Sequence, residues 1–179
     1  YLGMVQLRLN KESAAQASLV RAVTLDPSQS VAWGTLAELS LQNNQLGLAL
    51  QHIEKARTFD PETPRWRIVQ ARTLKRRGDK GDVELAAQLL LAMDKSEQLR
   101  SESISVLAEC FGMLRRPLEA AALYAEASRL KPDDSESAYQ AALWYQRGGN
   151  AEQALRYAKA AAALRHAQAV VMVKDLDTK

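Results

Sequence analysis

Small and large apolar residues recur along this chain at a fixed interval. Between Ser30 and Pro61 the order is Trp33, Leu36 and Ala37, then Ala49, Ile53 and Ala56, closing on Phe59-Asp60-Pro61. Counting back 34 residues from these positions gives Leu2, Gly3, Ala15, Leu19 and Ala22, closing on Leu25-Asp26-Pro27. Further along, Ile104, Leu107, Ala108, Phe111, Ala120, Tyr124, Ala127 and Pro132 repeat the order, and Ala138, Ala141, Ala142, Tyr145, Ala154, Ala158 and Ala161 repeat it again with His166 in place of the proline. Small residues at such positions let two helices cross closely while large ones fill the spaces between them, so the pattern predicts pairs of short helices. One pair cannot bury both its faces; stacked neighbours can.

The spacing breaks once. The helical pattern from Thr63 to Arg77 keeps Ala71 and Leu74 in place, with Trp66 one residue off. Leu74 to Ala86 is 12 residues where Ser40 to Ala49 is 9, so the turn Gly78-Asp79-Lys80-Gly81-Asp82 is expected to hold about three extra residues. Pro132 lies 71 residues after Pro61, two periods of 34 plus 3. The expected copies are therefore 1–27 without its first turn, 30–61, 64–98 with the excess, 101–132 and 135–166. Residues 167–179 read as a partial capping helix or the start of a further copy, and the opening in mid-helix at Tyr1 reads as that of an excised fragment.

The residues of Ser30 to Pro61 resemble the tetratricopeptide repeat, a helix-turn-helix of 34 residues with the pattern W-x-x-L-G-x-x-Y, then A-x-x-x-F, then P. Ala37 stands for the Gly, Ser40 for the Tyr and Ile53 for the Phe. The resemblance extends from Tyr1 to about Arg165 and implies an all-α, right-handed α-solenoid whose first helices line a concave groove for a protein or peptide. On that basis Val31, Gly34, Thr35, Glu38 and Gln42 face the groove in the second copy, and Arg65, Ile68, Val69, Arg72, Lys75 and Arg76 in the third. Glu102, Ser105, Val106, Glu109 and Met113 do so in the fourth, and Glu136, Tyr139, Gln140, Leu143 and Arg147 in the fifth. The resemblance thus implies partner-binding residues Glu38, Arg65, Arg72, Lys75, Arg76, Glu109, Tyr139 and Arg147, and a partner with acidic and apolar side chains. The family's Lys and Asn clamp for chaperone tails is not complete at Gly34, Glu38 and Val69 or at Ile68, Arg72 and Val106.

Composition narrows the alternatives. With 47% hydrophobic and 25% charged residues and only 8 Gly and 5 Pro, the chain fits an ordered soluble protein rather than a disordered or collagen-like one. A net charge of +3 falls short of a dedicated nucleic-acid binder. The densest basic run, Arg65, Arg67, Arg72, Lys75, Arg76, Arg77 and Lys80 around Trp66, could contact phosphate and stack a base, but it continues into no other copy, so nucleic acid is disfavoured. No stretch of 18 apolar residues marks a membrane span, and the compartment is open between cytoplasm and periplasm.

Catalytic and cofactor signals are absent. One cysteine, Cys110, and two histidines, His52 and His166, far apart in sequence, make no metal site, and no phosphate loop, nucleophile elbow or H-E-x-x-H occurs; no enzyme activity and no cofactor are expected. Arg77-Gly78-Asp79 spells an adhesion tripeptide but is ordinary turn chemistry. Trp33, Trp144, Tyr124 and Tyr145 are expected in the core, with Tyr139 exposed to the groove. Two functions follow: an interaction scaffold within a larger assembly, or a structural spacer or self-association module in envelope export or exopolysaccharide machinery.

Overall fold

A computed structural model describes residues 1–98 and 100–177. Among them are twelve helices and no strand. Residue contacts divide the chain into two compact units, Tyr1–Met93 and Asp94–Lys179, of which Thr178 and Lys179 lie outside the described residues, as does Leu99.

Unit 1 holds α1 (Leu2–Arg8), α2 (Glu12–Leu25), α3 (Ser30–Gln42), α4 (Leu46–Phe59), α5 (Pro64–Arg77) and α6 (Lys80–Leu91). Each packs on the next in chain order, and α3 also touches α5. Unit 2 holds α7 (Lys95–Gln98), α8 (Ser101–Met113), α9 (Pro117–Leu130), α10 (Ser135–Arg147), α11 (Ala151–Ala163) and α12 (Ala167–Asp177), again packed in chain order.

The repeating small residues sit where the helices cross. Ala15, Ala49, Ala86, Ala120 and Ala154 are completely buried, as are Ala37, Ala71 and Ala142 from the first-helix series. Leu36, Ile53, Leu90 and Leu107 fill the spaces between them. Burying each such side chain is worth about 1.5–3 kcal/mol, which is what holds helices of 7 to 14 residues that would be marginal alone. Trp33 is only half-buried: it packs between two core clusters while its ring N–H donates to the Pro27 carbonyl at 2.8 Å.

An Asp before or after the repeat proline organises three of the connections. Asp26 accepts from the Ser28 N–H and hydroxyl, and Asp60 accepts from those of Thr63. In the fourth copy Lys131 replaces that Asp, and Asp134 instead caps α10, accepting from the N–H groups of Glu136 and Ser137. Burial opposes ionisation of Asp134, but its hydrogen bonds with Ser137 and Glu136 outweigh this and hold its pKa below the ordinary value.

The five-residue turn expected at Gly78–Asp82 is not a turn along its whole length. Gly78 ends α5 in the left-handed region at φ 86°, Asp79 leads into the next helix, and Lys80-Gly81-Asp82 is already the first turn of α6. The pair Arg77–Asp82 spans the turn and Lys80–Glu84 adds an i,i+4 pair, so the extra residues go into the start of α6 instead of a loop. α6 then stops early. Met93 occupies the slot that Ala22, Ala56, Ala127 and Ala161 fill in the other copies, and there the helix has already given way to the short α7.

Candidate functional site

In unit 1 the basic run is largely engaged by its own neighbours. The Arg65 guanidinium makes a two-pronged pair with Glu38 at 2.7 and 2.6 Å, Arg76 donates to the Leu41 carbonyl at 3.1 Å, and Arg77 pairs with Asp82. The hydrogen bond between the last two raises the Arg77 pKa and lowers that of Asp82. On the same helix Arg72 is exposed and Lys75 half-buried. Trp66 offers no face to a base: it is buried at 3% exposure with its six-membered ring against Gly34, where a Cβ would stand 2.1 Å from Cζ3. The stacking platform that a nucleic-acid site would need is therefore taken up by packing. Gly34, Thr35, Ile68, Val69 and Val106, expected on the groove face, are buried as well, so that face carries fewer apolar side chains than the resemblance implies.

In unit 2 an open trough of about 850 Å³ lies between α8, α9 and α10. Its apolar surface comes from Ile104, Ala108, Ala127, Leu130 and Trp144, and its polar groups from Ser105, Glu109, Tyr124, Glu136 and Gln140. Lys95, Arg100 and Lys131 stand at the α8 N-terminal end, and Arg147 toward the other. A second recess of about 650 Å³ shares Glu109, Trp144 and Arg147 and adds Gly112, Met113 and Pro117. The Arg147 guanidinium lies 4.6 Å from the Trp144 ring centroid, a cation held over an aromatic face.

Of the expected partner-binding residues the trough brings together Glu109 and Arg147, with Ser105, Glu136 and Gln140 from the expected groove face beside them, while Tyr139 is elsewhere. Its ring stacks on His166 with centroids 4.2 Å apart and packs on the core around Ala142 and Ala161. The tyrosine that lines the trough is Tyr124, assigned to the core from its repeat position. That position holds Leu19 and Ile53 in other copies, and a phenol placed there must bring its hydroxyl to a polar surface, which is the signal its sequence position carried. Burial pushes the Tyr124 phenol above its ordinary pKa, a hydrogen bond with Ser105 opposes this, and the charges of Glu109 and Glu136 add to the rise. Lys95, Arg100 and Lys131 lie on a short helix and on connections, where a first-helix rule does not look.

Reactive side chains are used structurally. The Ser40 hydroxyl is 3.2 Å from His52 Nδ1, but Ser40 is buried and donates to the Leu36 carbonyl at 2.8 Å. Burial lowers the His52 pKa, against a hydrogen bond with Leu36 that raises it. Cys110 is fully buried, and among the described residues no group of three metal-binding side chains comes together. No described helix is long and apolar enough to cross a membrane.

This arrangement of helix pairs is that of solved tetratricopeptide-repeat structures. MamA superposes with a TM-score of 0.77 at 15% identity over 94% of this chain and 97% of its own. YrrB, described as a TPR protein with an unusual peptide-binding site, gives 0.75 at 18% over 97% and 88%. PilF of Pseudomonas aeruginosa gives 0.73 at 21% over 98% and 83%. The chain has the tetratricopeptide-repeat fold, an all-α solenoid of helix-turn-helix repeats. No protein-family model and no curated protein sequence matches it.

Proposed function

We propose that this chain is a protein-interaction scaffold that holds a peptide or protein segment with acidic and apolar side chains against the first helices of its repeats. The observation that carries the reading is the unit 2 trough, where an apolar floor meets a few convergent polar groups, the usual make-up of a binding site. Glu109 and Arg147 contact the segment there, with Tyr124 as a rigid amphipathic anchor. On unit 1, Arg72, Lys75 and Arg76 of α5, beside the Arg65–Glu38 pair, form a second contact for acidic side chains. The peptide-binding site in the description of YrrB supports the same use of the fold.

The test is selection of peptides from a random displayed library on the whole chain, followed by affinity measurement for the enriched sequences. Ser105 is half-buried at the trough wall, so Ser105→Trp fills the space without entering the core. It should weaken binding by about tenfold or more, about 1.4 kcal/mol, with unchanged helical circular dichroism. Arg72→Glu with Arg76→Glu should weaken it further. Wild-type affinity in all these variants would remove the trough and α5 from the site.

A further inference from the structure

Two neighbouring arginines of unit 1, Arg57 and Arg67, form no ion pair among the described residues. Both are half-buried, on α4 and α5, which pack against each other. Arg57 Nη1 donates to Gln70 Oε1, and Arg67 precedes Gln70 by three residues, on the same face of α5. The Arg57 Nε is enclosed without an acceptor. Burial lowers the Arg57 pKa, the charge of Arg67 lowers it further, and no carboxylate offsets them. Of the acids nearest in sequence, Asp60 accepts from Thr63, while Glu54 and Glu62 are exposed and pair with neither arginine.

Helix ends do not account for both cations. Arg57 is in the last turn of α4, where the helix dipole favours a positive charge, but Arg67 is in the first turn of α5, where it repels one and no acid is present. A guanidinium does not shed its proton, so the pair stays doubly charged and costs stability unless an anion joins it. Because Gln70 Oε1 accepts from Arg57, the amide's Nε2 hydrogens are further donors, and the cluster holds donors without a free acceptor. From this juxtaposition we infer that Arg57, Arg67 and Gln70 form an anion site that takes a phosphoryl group. A carboxylate brings one charge and two oxygens; a phosphoryl dianion matches both guanidiniums and leaves an oxygen for the amide. The group is free inorganic phosphate or a phosphoester on a partner protein, and the site goes beyond the scaffold reading without resting on it.

Titration of the whole chain with inorganic phosphate at constant ionic strength, at about pH 8 so that phosphate is a dianion, reads the site by amide NMR. Wild type should show saturable shifts around Arg57 in α4 and from Arg67 to Gln70 in α5. Arg67→Gln should bind about tenfold or more weakly with unchanged helical circular dichroism, and Arg67→Lys should fall between. Tighter binding of N-acetyl-O-phosphoserine amide than of inorganic phosphate supports a phosphoester on a partner protein, and the reverse order supports a free-phosphate site. Absence of saturable shifts, equal shifts with acetate, or equal affinity in Arg67→Gln overturns the inference and leaves the scaffold reading standing.

Discussion

A single missing side chain sets the closest approach in unit 1. Gly34 lies inside α3, where glycine costs a helix about 1 kcal/mol against alanine, so its presence needs a reason. The reason is Trp66, whose ring atoms Cζ3, Cη2 and Cε3 stand 2.1 to 2.6 Å from any Cβ added there. Overpacking of this kind costs about 1–3 kcal/mol, and a buried indole has little room to yield. Gly34→Ala should therefore lower stability by up to about 2 kcal/mol net of its helix gain. Urea unfolding measures it, and a stabilised variant would mean the contact is not made. Part of this was readable from the chain: Trp66 stands one residue off its repeat position. What the spacing did not show is that the displaced ring reaches back across one helix pair to a glycine that the resemblance assigned to the ligand face.

At the scale of the helix, the three-residue excess shows how far periodicity reaches. A shift of three nearly preserves a helical face, so counting residues could register the excess but not decide between a longer loop and an earlier helix start. Local chemistry decides: Gly78 supplies the left-handed cap, Asp79 the helix start, and Arg77–Asp82 a clamp across both. The buried series of α6 runs Val83, Ala86, Ala87 and Leu90, all after the extra turn. Deleting Lys80, Gly81 and Asp82 leaves Asp79 next to Val83, ready to start a shorter helix. The variant should fold cooperatively, losing no more than about 1 kcal/mol, the scale of an exposed ion pair. Loss of helical signal or of a cooperative urea transition would show that the extra turn is required for α6 to form. The helix pairs were legible because they rest on recurring buried alanines; the trough's cations were not, since Lys95, Arg100 and Lys131 lie between the repeating positions.

For the whole molecule, the even ruler of the sequence and the division of contacts point to different cooperativity. A strict repeat array distributes stability over nearest-neighbour interfaces, so damage spreads to adjoining copies and fades with distance. Here contacts gather into two units that part at Met93 and Asp94. That is where Met93 replaces the alanine of other copies and Gln98 the proline. Each unit has its own core, around Ile53, Trp66 and Val69 in the first and around Ala142, Ala158 and Met172 in the second. Ile53 is completely buried, so Ile53→Ala should cost about 2–5 kcal/mol. If each core sustains its own unit, amide exchange should quicken across α3, α4 and α5 while α9, α10 and α11 keep their protection; Leu107→Ala should do the reverse. Equal loss of protection in both units from either substitution would mean that the chain unfolds as one cooperative body, and that the break in spacing is a local irregularity without energetic weight.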